Sequence, residues 1–161
     1  MDHFAERPWQ TYSDYDEVHL IFDRYDIQNS LKTSTQIRRQ GGSIVVAYHI
    51  TDTTSVSRTM QNLLAHTQTK NEITAYLART LLSNPQTQGK ALDVAWRDNI
   101  EATHPDVAHI ASNQEEADTK LILHAVEASR YGATSIYIFS PDTYLLVLAI
   151  RRFPNIFCYR C

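Results

Sequence analysis

Residues 112 to 150 read SNQEEADTKLILHAVEASRYGATSIYIFSPDTYLLVLAI, and the fold turns on this stretch. It opens on acids and enters a helical pattern from about Glu115 to Tyr131, with Leu121, Ile122, Ala125 and Val126 on the buried face. Gly132 supplies the turn that ends the helix. Ser135 to Phe139 (SIYIF) predicts a strand, and Asp142 to Arg152 predicts a second, short helix with an acid at its start.

Upstream, Glu17 to Phe22 predicts a short buried strand that ends at Asp23. Ser43 to Ile50, Ala91 to Trp96 and Val107 to Ala111 predict three more strands, and Asn155 to Tyr159 a last one. Two helical patterns lie between them. Val56, Met60, Leu63 and Leu64 share one face; Ile73, Tyr76, Leu77, Thr80 and Leu81 share another, which Asn84-Pro85 brings to a stop. Strands alternating with helices predict an α/β layered fold with a mainly parallel central sheet flanked by helices.

The chain of 161 residues is one domain by length, with residues 1 to 16 as an irregular lead-in. A net charge of −3 gives no global attraction to nucleic acid or anionic membrane, so any phosphate binding has to come from a local basic patch. The longest apolar run, Leu145 to Ile150, is far short of a membrane span. The start, MDHFAERPWQ, lacks a basic region followed by an apolar core, which leads us to expect an intracellular protein, nuclear location included. Cys158 and Cys161 supply half of a zinc site and read as two reduced thiols; the apolar ending NIFCYRC reads as the edge of a longer protein.

Ligand sites of parallel sheets gather outside the carboxyl ends of the strands. Asp23 follows one predicted strand directly and Asp142 follows another by two residues, while Glu116 and Asp118 open the helix between them. Four acids on one edge offer oxygen ligands only, a set suited to Mg²⁺ or Mn²⁺ rather than zinc. Helix capping explains the same residues in another way. Ser112-x-x-Glu115 has the form of a capping box, Ser140-Pro141-Asp142 that of an N-cap with a first-turn proline, and Asp23 suits a turn. Lys32, Arg38 and Arg39 lie downstream of Asp23, either as a solvated helix face or as a clamp for nucleic-acid phosphates. His19, His49, His66, His104, His109 and His124 show no metal-ligand spacing and read as structural.

Taken together, LIFDRYD, SLKTSTQIRR, EEADTKLILHA and SPDTYLLVLA resemble the PIN-like nuclease superfamily in its flap-endonuclease-like branch. The resemblance runs over about residues 17 to 150 and is nearest to transposon-associated animal proteins carrying EEADT and SPDTD motifs. It implies a three-layer fold and a metal-dependent phosphodiesterase acting on DNA or RNA. Asp23, Glu116, Asp118 and Asp142 would hold Mg²⁺ or Mn²⁺, and Lys32 with Arg38 or Arg39 would lie near the scissile phosphate. Two ions about 4 Å apart would activate water and stabilise the leaving oxygen. The chain departs from this pattern in three places. Tyr144 stands where the branch has the second acid of D-x-D, no early strand with a metal-binding Asp precedes Glu17, and a later Gly-x-Asp acid has no counterpart before Cys161. A neutral phenol is a poor Mg²⁺ ligand, so the expectation is a depleted site, with cleavage weak or absent. The other expectation is a catalytically inactive module, derived from a mobile element, that binds nucleic acid or protein.

Overall fold

The computed structural model describes residues 12–25, 47–54, 64, 66–84, 91–103, 105, 110 and 116–157. Its sheet begins with β1 (Glu17–Ile21), which pairs in parallel with β2 (Ala91–Trp96). Every residue of β2 after Ala91 is buried, as befits the central strand. Alternation along the strands separates two chemistries. Val18, Leu20 and Phe22 join Leu92, Val94 and Trp96 in the apolar core, together with Ala75, Ala78 and Leu81 of α1 (Thr67–Ser83). Each fully buried leucine or valine there contributes about 1.5–3 kcal/mol relative to an exposed one. The opposite alternation carries Glu17, His19 and Asp93 beside Ile21, Ala91 and Ala95, and it meets α2 (Ala117–Arg130) through His124.

The third strand, β3 (Asn99–Ala102), returns antiparallel along β2. Trp96 pairs with Asn99, so Arg97 and Asp98 form a two-residue turn, with Arg97 in the left-handed region at φ 54°. This backbone favours glycine, and here tertiary contacts hold an arginine in it. Its Nε donates to Asn71 Oδ1 at 2.8 Å, its guanidinium lies 3.5 Å from Glu72, and its carbonyl accepts the Lys120 ammonium at 2.8 Å.

Helix α1 starts with the His66 ring accepting the Gln68 N–H and stops at Asn84, as expected before Pro85. Helix α2 closes on Gly132 at φ 98°, where the Ala133 N–H reaches the Ala128 carbonyl and the Gly132 N–H reaches that of Ser129. Ile122 and Ala125 are buried as expected, whereas Leu121 and Val126 are only partly so; Lys120 and His124 take the buried positions. The last helix, α3 (Tyr144–Phe157), packs on α2, and the Ser129 hydroxyl donates to the Ile156 carbonyl.

Several expectations are corrected. Asn155 to Phe157 continue α3 rather than opening a strand, although Pro154 removes one helical hydrogen bond; Ile156 is buried and tied to α2, and that packing outweighs local preference. Residues 135–139 form no strand and lie outside the sheet, and ring contacts of Tyr137 with Tyr15 and Phe139 with Tyr12 set them beside the chain entering β1. Residues 47–50 form no strand, and Ile110 sits in a 3₁₀ turn. The remainder of the strands expected at 43–50 and 107–111, the helix at 56–64 apart from Leu64, and residues 158 and 159 lie outside the described residues. The described architecture is thus α/β with a three-stranded mixed sheet and three helices. Among the described residues no helix is long and apolar enough to cross a membrane.

Candidate functional site

Asp23 leaves the end of β1 and meets the start of α2, where its Oδ1 accepts the Ala117 N–H at 2.9 Å. Helix α2 has Glu116 at its N-cap position without a side-chain cap bond, so Asp23 satisfies an N–H of the first turn from a distant part of the chain. The Tyr25 hydroxyl lies 3.4 Å from the other Asp23 oxygen.

The start of α3 comes to the same place. Ser140 donates to Asp118 Oδ1 at 3.4 Å and accepts the Asp142 N–H at 3.1 Å, while Asp142 Oδ1 accepts the Tyr144 N–H at 2.8 Å. Asp142 therefore starts α3 as Asp23 starts α2. The Asp118 carboxyl is pushed above the usual carboxylate range, first by burial, then by the charge of Asp142 and, more weakly, by Asp23 and Glu116; the Ser140 bond opposes this. The fold brings Asp23, Glu116, Asp118 and Asp142 into one acidic neighbourhood at two helix N-termini, where the helix dipoles favour negative charge. It does not gather them into a tight cage. Among the described residues no three of these acids bring ligand atoms within 4.8 Å of one another. Tyr144 is exposed at the first turn of α3. Lys32, Arg38 and Arg39 lie outside the described residues.

A tighter group lies between the sheet and α2, around His19, a histidine whose sequence spacing reads as structural. Glu17, His19 and Asp93 each place a ligand atom within 4.8 Å of the others. His19 Nε2 contacts a Glu17 carboxylate oxygen and lies 3.1 Å from Asp93 Oδ2, and its Nδ1 is 2.7 Å from His124 Nδ1. The parallel register sets His19 opposite Asp93, and Glu17 shares their face two residues earlier. Burial and the neighbouring His19 and Lys120 lower the pKa of His124 to about 3, with Glu17 acting in the other direction. His124 is therefore neutral at pH 7, and one hydrogen bond joins its Nδ1 to that of His19. The signal was present in ALDVAW, where an aspartate interrupts an otherwise apolar strand.

No family model, curated protein or solved structure matches the chain.

Proposed function

We propose that the chain is a three-layer PIN-like domain whose acidic edge binds one Mg²⁺ or Mn²⁺, and that it is related to metal-dependent nucleases while itself cleaving nucleic acid weakly or not at all. The observation that carries this reading is the shared neighbourhood of Asp23, Glu116, Asp118 and Asp142, with the Asp118 carboxyl burdened by the other three charges. A divalent cation would relieve that repulsion. Mg²⁺ retains several waters and needs only one or two direct carboxylates, so an open arrangement of oxygen donors fits it better than a closed cage would. Asp118 and Asp142 would hold the ion and Asp23 and Glu116 would face its waters; when bound, it would polarise a phosphoryl oxygen. Asp23 and Asp142 meanwhile keep the two helix starts in place.

Tyr144 in place of an acid, together with capping duties for two of the four carboxylates, favours a second form of the same reading. In that form the domain keeps the fold and binds nucleic acid or protein without cleaving it. Lys32, Arg38 and Arg39 would supply the phosphate contacts in either case.

The test restores the acid. Tyr144 is exposed in the first turn of α3, where an aspartate suits the helix dipole, so Tyr144→Asp should fold normally. Cleavage of flap, hairpin or single-stranded substrates by Tyr144→Asp, lost again on adding Asp118→Asn, would support the nuclease relationship. Failure of Tyr144→Asp to cleave any of them would remove it and leave a binding role.

A further inference from the structure

We propose that Glu17, His19 and Asp93 form a site for one divalent transition-metal ion of the zinc type, lying between the sheet and α2. The site is separate from the acidic edge: Glu17 opens β1, whereas Asp23 follows its end, and at roughly 3.3 Å per extended residue Asp23 lies up to about 20 Å from Glu17 and about 13 Å from His19.

The arrangement of charge argues for a cation. Carboxylates only accept hydrogen bonds, and His19 Nε2 faces two of them, Glu17 and Asp93. A donor has to stand there: an N–H on Nε2 can serve, and a metal ion shared by the three groups can take its place. The rest of the geometry is that of a metal site. The other nitrogen of His19 is held by His124 Nδ1 at 2.7 Å with the two rings edge to face, and an outer partner of this kind fixes the orientation of a ligating imidazole.

Bonds of about 2.0–2.2 Å to a tetrahedral ion place ligand atoms roughly 3.3–3.6 Å apart. His19 Nε2 lies 3.1 Å from Asp93 Oδ2 and nearer still to Glu17, so the group has to open slightly to admit an ion, and the half-exposed Glu17 side chain is the one free to swing outward. One imidazole with two carboxylates suits zinc and its neighbours better than Mg²⁺, which prefers oxygen only. Access also differs usefully between the donors. The Asp93 side chain is wholly buried and fixed by the central strand, whereas that of Glu17 is 50% exposed and opens the site to solvent. A bound ion would tie β1 to β2 beneath α2.

The experiment titrates the full chain with Zn²⁺ by calorimetry and repeats it with Co²⁺, read by visible absorption. We expect one equivalent of Zn²⁺ that Glu17→Gln and His19→Gln each weaken by at least the roughly 10–100-fold that loss of an outer partner costs, with a low-coordinate Co²⁺ spectrum lost in the same variants. Asp118→Asn should bind Zn²⁺ like the wild type, so this result stands or falls apart from the acidic edge. Glu17 is surface-accessible, and Glu17→Gln decides the matter should His19→Gln not fold. Absence of stoichiometric Zn²⁺ binding would overturn the proposal, as would Zn²⁺ binding that Glu17→Gln leaves unchanged or that Asp118→Asn removes.

Discussion

Asp23 caps a helix that begins 94 positions later in the chain, through a 2.9 Å bond from the Ala117 N–H to its Oδ1. This one contact joins the end of β1 to the start of α2 and draws the acids together. It also separates two roles of Asp23. Asp23→Ala removes the acceptor and should cost about 1 kcal/mol, read as a lower urea midpoint with an unchanged m-value. Asp23→Asn keeps an acceptor oxygen and should lose only a few tenths of that. Equal losses in the two variants would mean that charge, and not capping, is what Asp23 contributes to stability.

The buried His124 gives the protein an acid-sensitive limb. Its pKa falls from 6.5 to about 3 on folding, so below pH 6.5 the unfolded chain takes up a proton that the folded one refuses. Stability contributed by neutral His124 is complete above pH 6.5 and is lost progressively as pH falls toward 3. In metal-free buffer the loss approaches about 1.4 kcal/mol per pH unit at its steepest. His124→Gln lacks this proton and should show a flatter profile between pH 6.5 and 4.5, whatever its stability at pH 7. Parallel profiles for wild type and variant in urea unfolding would show that His124 is not the source.

Arg97 tests how a strained turn is held. With φ at 54°, the residue depends on Asn71 and Glu72 to fix its side chain. Arg97→Ala keeps the strained backbone and loses both contacts, and should lower stability by about 1–2 kcal/mol. Arg97→Gly loses the same contacts but relieves the backbone, so it should be the more stable of the two variants. Thermal melting ranks them, and the opposite order would show that the turn is unstrained.

Elements with strong punctuation were legible in the sequence. Short strand-like stretches marked β1 and β2, Asn84-Pro85 the end of α1, and Gly132 the end of α2, because each signal acts within a few residues. β3 was not legible, since its turn uses Arg97-Asp98 where such turns announce themselves with glycine or asparagine. The helical ending of α3 was hidden as well, because contact with Ser129 and burial of Ile156 decide it. At the acidic edge, strand ends and helix starts pointed to the neighbourhood but not to which N–H each carboxylate would cap. Glu17 and His19 share a face at i and i+2 of β1, but Asp93 joins them only through the β1–β2 register, which no local spacing encodes.

The central claim is that the acidic edge holds a cation, and melting in a Mg²⁺ series tests it most directly, since Mg²⁺ avoids the imidazole of His19. Wild type should melt at progressively higher temperature, with a stabilisation of about 2.7 kcal/mol when Mg²⁺ reaches 100 times its dissociation constant. Asp118→Asn, free of the charge that burial and then its acidic neighbours disfavour, should be no less stable than wild type without Mg²⁺ and should gain nothing when it is added. A melting temperature of wild type that ignores Mg²⁺, or an equal rise in Asp118→Asn, would contradict the account.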